Sequence, residues 1–124
     1  MAVQHGVQGI VVSSYAGGET GSTAASIEML PAIADAVGGH LAVLVDGGFR
    51  RGSDVLKALA LGARAVLLGR PPVWGLAAYG ADGVQRLLEL MQTELARDMT
   101  MCGRVNLQAI DRTVVKVHKT SGRE

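Results

Sequence analysis

The chain reads as an α/β protein built on parallel strands, and three observations predict it. Short apolar runs alternate with stretches whose apolar residues recur every three to four positions. Two of the runs are continuously apolar, as in parallel strands covered on both faces. Glycine makes up 17 of the 124 residues, about twice the usual share of roughly 7%, and it falls at segment ends rather than in one mass. Strand, helix, strand, helix, strand, helix is the order of a parallel sheet with right-handed crossovers.

The opening MAVQHG reads as the last turn of a helix and suggests a piece of something larger. The first strand is expected over 7–13, and after it comes the glycine-rich loop YAGGETGS. Ile27, Leu30, Ile33, Ala34 and Val37 then share one face of a helix that stops at Gly38-Gly39. Pro31 is expected near its first turn, because proline supplies no N–H deeper inside. The second strand spans 41–45. Val55, Leu56, Leu59 and Ala60 mark a second helix, with Ser53 or Asp54 near its start and Gly62 after its end.

The third strand spans 65–68. The fragment PVWGLAAYG that follows it suits a short helix, and a longer helix begins near Asp82. Val84, Leu87, Leu88, Met91 and Leu95 recur with a helical period, and Gly103 closes the pattern. The methionines of this stretch are read as core filler. Past Gly103 comes a short helix-like piece, then TVVKVH, which suits a further edge strand, and KTSGRE is expected to fray. The division is therefore one domain over 1–118 and a tail over 119–124.

Composition narrows the functional classes. Net charge is +1, with no basic stripe interleaved with aromatics, which argues against nucleic-acid binding. No apolar run approaches the length of about 18 residues that a membrane span needs, and no membrane partner is expected. The single cysteine, Cys102, makes no internal disulfide and suits a reducing cytoplasm; it is read as a small buried residue. His5, His40 and His118 lie before the first strand, before the second strand and in the tail, and are read as surface residues.

Two strand ends carry the chemistry of an anion site. Residues 45–54, VDGGFRRGSD, offer Gly47 and Gly48 for close backbone approach and Arg50 as a guanidinium fork, followed by a helix start with free N–H groups. Residues 67–72, LLGRPP, offer Gly69 and a second cation, Arg70. In (β/α)8 barrels the loops after the last two strands, with a short extra helix, commonly bind phosphate. The alternative is that DGG is a tight turn and both arginines are solvated. No G-x-x-x-x-G-K-[ST] is present, and residues 17–21 give only GGETG where a dinucleotide fingerprint would need G-x-G-x-x-G.

The run DGGFRRGSDVLKALALGARAVLLGRPPVWGLAAYGADGV resembles the FMN-dependent 2-hydroxy acid oxidases and dehydrogenases, among them glycolate oxidase, lactate oxidase and mandelate dehydrogenase. The likeness extends from AVQHGVQGIVVS through LPAIADAVGG to about Ile110. Members are much longer, so the resemblance implies a partial TIM (β/α)8 barrel comprising the last three strand–helix units. It implies FMN as cofactor, with Asp46, Gly47, Gly48, Phe49 and Arg50 around the ribityl phosphate. The same resemblance implies that Gly69 and Arg70 make the second phosphate contact and that Ser13 lies near the flavin ring.

The family pattern after the first of these strands is S-N-H-G-G-R-Q-L-D-G. There His takes the substrate proton, Arg grips the carboxylate and Asp orients neighbouring groups. The aligned run is Ser13-Ser14-Tyr15-Ala16-Gly17-Gly18-Glu19-Thr20-Gly21-Ser22, so Tyr15 stands for His, Gly18 for Arg and Gly21 for Asp. A phenol with an ordinary pKa near about 10 is a poor base at neutral pH. The family's lysine by the flavin belongs to an earlier strand, before the matched stretch.

Three readings follow. The chain is an FMN- or phosphate-binding member inactive alone, a working oxidoreductase when joined to a complementary barrel half or a second copy, or a structural subunit. An incomplete barrel exposes strand edges and interior side chains, so a homo-oligomer or a partner chain is expected.

Overall fold

The computed structural model describes residues 1–14 and 24–117. Three parallel strands, β1 (Gly9–Val12), β2 (Ala42–Val45) and β3 (Ala65–Val66), lie side by side in that order. Gly9 pairs with Ala42, Val12 with Val45 and Val45 with Val66. Helix α1 (Ser26–Val37) connects β1 to β2, α2 (Gly52–Ala60) connects β2 to β3, and α3 (Arg70–Met101) follows β3. The expected element order and the partial-barrel class both hold.

Side-chain alternation divides the sheet into two unlike faces. Ile10, Val12, Val43 and Val45 point to the helices, and Val45 is fully buried beside Leu30 of α1. The opposite face carries Val11, Leu44 and Leu67, of which Val11 is 50% and Leu67 41% exposed. Strands read from their apolar runs as covered on both faces are therefore sealed on one. In a closed barrel the open face would point to the interior.

The helices largely follow their patterns, with local corrections. In α1, Pro31 sits in the second turn rather than the first. The helix begins earlier than expected because Glu28 reaches back to the amide of Ala25, and the missing N–H at position 31 leaves the carbonyl of Ile27 without its i+4 donor. Helix α2 starts one residue ahead of Ser53, and Gly62 lies beyond its end with φ +107. Helix α3 is two helical pieces joined at Tyr79 and Gly80, whose backbone leaves the helical region. The expected short helix and long helix are these two pieces. They touch through Gly75 and Gly83: a Cβ on Gly83 would stand 2.0 Å from the carbonyl oxygen of Gly75.

Met91 and Met99 are core residues, as read, and Gly103 ends the long helix with φ +68. Val3–His5 forms a single 3-10 turn closed by Gly6, and His5 and His40 are exposed. Two corrections concern the C-terminal part. Residues 113–117 form no edge strand: a 3-10 turn covers Arg112–Val114, because the Asp111 carboxylate accepts the amide of Thr113 and curls the chain. Cys102 is exposed rather than buried, since it caps α3 instead of facing its core. The tail 119–124 and His118 lie outside the described residues. Among the described residues no helix is long and apolar enough to cross a membrane.

Candidate functional site: an anion cradle at three strand tips

Parallel neighbours place their C-terminal ends together, so the tips of β1, β2 and β3 form one row with a strand spacing of about 4.8 Å. A cavity of about 300 Å³ opens there, lined by Ser13 and Ser14 after β1, residues 46–50 after β2 and residues 67–71 after β3. Ser13, Asp46, Gly47, Gly48, Phe49, Arg50, Gly69 and Arg70 thus all stand on one wall system. The two loops that the sequence singled out converge.

Backbone geometry makes the cradle. Gly47 has φ +97 and Gly48 φ +86, conformations that side chains rarely adopt. At Gly47 space forbids a side chain as well: a Cβ would lie 2.6 Å from Ser14 Oγ and 3.0 Å from Ser26 Oγ. Ser26, the first residue of α1 and itself buried, donates its hydroxyl to the carbonyl of Asp46. The amide of Asp46 donates to Val12 across the sheet at 3.0 Å. The start of the loop is therefore held from β1 and from α1 at once. Phe49 lines the cavity while its side chain is buried in the main core, so that side chain contributes packing rather than a polar contact.

The adjacent arginines differ in role. Arg51 is paired with Glu94 of α3 at 3.0 Å, while Arg50 forms no ion pair among the described residues and lies with its guanidinium 5.5 Å from the ring centre of Trp74. Arg70 is the first residue of α3 and faces the same cavity. Pro71 and Pro72 bring no N–H, so this helix start donates through Gly69 and Arg70.

One expectation is corrected. The start of α2 offers fewer free amides than expected: those of Arg50 and Arg51 donate to Asp54, both at 3.0 Å, and that of Gly52 donates to Glu94 at 2.9 Å. Two carboxylates thus occupy the positive end of that helix. The Gly52 amide, and then Arg51, hold the Glu94 carboxyl below its ordinary value. Attraction for an anion rests on Arg50, Arg70 and the glycine backbone instead.

Sequence reasoning missed Ser14, Ser26 and Trp74. Trp74 lies four residues after Arg70 and so on the same helix face, a spacing that could have linked them. Ser26 is 20 residues from its partner, with no local signal. The loop carrying Tyr15, Gly18, Glu19 and Gly21 lies outside the described residues. No group of His, Cys, Asp or Glu that could hold a metal occurs among the described residues.

Three parallel strands with helices on one face and an arginine-bearing cavity at their C-terminal tips define a portion of an α/β barrel. The chain belongs to the FMN-dependent dehydrogenase family, whose model matches residues 1–117, and it matches the C-terminal portion of the family. It is 49% identical to human 2-hydroxyacid oxidase 1 over 115 residues, 93% of this chain and 31% of that protein. It is also 49% identical to the L-lactate oxidase of Nostoc sp. over 110 residues, 89% of this chain and 30% of that protein. A mandelate oxidase variant solved with a monooxide FMN adduct superposes with a TM-score of 0.85 at 51% identity, covering 90% of this chain and 35% of that one. The chain therefore spans about a third of the length of the relatives it matches.

FMN is the cofactor of this family. The residues present fit its phosphate end: two guanidinium groups, backbone donors, and a glycine pair where a Cβ at Gly47 would collide with Ser14. The cavity of about 300 Å³ is at the small end of ligand sites, roughly 300–1,000 Å³.

Proposed function

We propose that this chain anchors FMN by its phosphate, and that alone it does not oxidise a 2-hydroxy acid. The observation that carries the first part is the meeting of Arg50, Arg70 and the Gly47–Gly48 backbone in one cavity. The second part rests on the residues aligned with the family's base and carboxylate clamp, Tyr15 and Gly18. Arg50 and Arg70 bind the phosphate oxygens, Gly47, Gly48 and Gly69 let the main chain approach, and Ser13 stands toward the flavin ring. Bound FMN would supply the acceptor for the electron pair leaving a 2-hydroxy acid. Without a base tuned to neutral pH and a cation for the carboxylate, the chain has little means of positioning that substrate.

Titration with FMN and with riboflavin tests the anchor. FMN is expected to bind more tightly, since riboflavin lacks the phosphate. Arg50→Ala and Arg70→Ala should each weaken FMN binding, by about tenfold or more for a lost charge-assisted bond, and their combination should be non-additive because they share a ligand. Equal affinity for FMN and riboflavin, with both variants unaffected, would falsify the anchor. Turnover of glycolate, lactate or mandelate with an electron acceptor by the chain alone would overturn the inactivity.

A second reading is favoured by the open sheet face, where Val11 and Leu67 remain exposed. On this reading a complementary barrel half, or a second copy, covers that face and completes a working oxidoreductase. Co-expression with the N-terminal portion of a relative would then give a flavin-loaded, active complex. A protein that binds neither flavin nor phosphate would instead favour a structural subunit. We further propose a cytoplasmic location, consistent with a single cysteine, which fractionation of cells would check.

A further inference from the structure

The two consecutive arginines at the tip of β2 have opposite fates. Arg51 is neutralised by Glu94. Arg50 has no carboxylate partner among the described residues, yet its end is not left to wander, because the guanidinium rests over the indole of Trp74 at 5.5 Å. That distance is within the range of about 6 Å over which a ring quadrupole attracts a cation. A carboxylate would hold the same side chain but would cancel its charge. An aromatic face holds it and leaves the charge intact. It also brings no acceptor to compete for the N–H donors, because the indole offers only a donor of its own.

Trp74 is itself placed by the helix that bears the other cation. It follows Arg70 by four residues on the first piece of α3, whose start is fixed by buried Pro71. It is not among the residues lining the cavity, and half its surface is in solvent.

We propose that Trp74 is a positioning residue for the anion site: its indole holds the Arg50 guanidinium ready for a phosphate without neutralising it. The proposal rests on the phosphate-anchor reading above and adds a residue that acts only through Arg50.

The test is FMN affinity in wild type, Trp74→Leu, Trp74→Phe, Arg50→Ala and the Arg50→Ala/Trp74→Leu pair, at fixed low salt. Trp74→Leu is expected to weaken binding about two- to fivefold, the range for an exposed cation–π contact, and Trp74→Phe to recover part of the loss. In the Arg50→Ala background Trp74→Leu should cost nothing, because its partner is gone. A loss of equal size in both backgrounds, or no loss in either, overturns the positioning role while leaving the anchor standing. Failure of wild type to bind either FMN or inorganic phosphate overturns both.

A second readout does not depend on the leucine variant folding. Trp74 is the chain's only tryptophan, so its emission reports on the contact directly. Inorganic phosphate should change that emission in wild type and leave it unchanged in Arg50→Ala. Phosphate binding with no emission change in wild type, or the same change in both proteins, counts against the proposal.

Discussion

Gly47 shows how one residue can be constrained twice. Its φ of +97 disfavours any side chain, and the two serine hydroxyls at 2.6 and 3.0 Å leave no room for one. Gly48 shares the first constraint, but a methyl group added there would meet nothing within 4 Å. Gly47→Ala should therefore lower stability by about 1–3 kcal/mol and weaken FMN binding. Gly48→Ala should cost less than Gly47→Ala, because only the backbone objects. Thermal denaturation of the two variants, with parallel FMN titrations, checks the ranking. The DGG run made this pair legible in the sequence. What filled the space beside it was not, since Ser26 joins Asp46 through tertiary packing alone. Trp74 lies between these cases: its spacing from Arg70 was readable, but its contact with Arg50 was not.

The start of α2 is governed by acids from two helices. Asp54 satisfies the amides before it, and Glu94 reaches across from α3 to the Gly52 amide and Arg51. Hydrogen bonding to the Gly52 amide is the first cause of the lowered Glu94 pKa, relative to 4.5. A carboxyl with a depressed folded pKa stabilises the fold above its unfolded value, and that stability is lost as pH falls through the lower folded value. Glu94→Gln should therefore be less stable than wild type at neutral pH, with the gap narrowing as pH drops below 4.5. Chemical denaturation at pH 7 and at acid pH checks the sign; a gap that widens in acid would contradict it. Element identities were legible because apolar periods separate helix from strand. Less legible were features decided by side-chain hydrogen bonds. Asp111 turns 112–114 into a 3-10 turn despite the β-branched run, and Glu28 starts α1 early enough to leave Pro31 inside it.

At the scale of the whole molecule the dominant fact is an asymmetric sheet. One face is packed under α1 and α2, while Val11 and Leu67 remain at the surface of the other; elsewhere on the surface, Val73 and Tyr79 are 60% and 80% exposed. Exposed apolar area, and edges at β1 and β3 that are unpaired among the described residues, favour association. Sedimentation at micromolar concentration is expected to show a species heavier than one chain, and a monomer over the whole range would remove this expectation. Strand order was legible from chain order and crossover handedness. Which face stayed open was not, because a buried parallel strand and a barrel-lining strand present the same unbroken apolar run.

Helix α3 contributes Arg70 at one end and, beyond the Tyr79–Gly80 break, Glu94 against the residues that follow Arg50. Besides the β2–β3 pairing that sets their strand tips side by side, the two cations are thus tied through a bent strut braced where Gly75 meets Gly83. On the proposed reading, a change that widens that elbow, even well away from the cavity, would loosen this second brace on Arg70 and with it the grip on a phosphate.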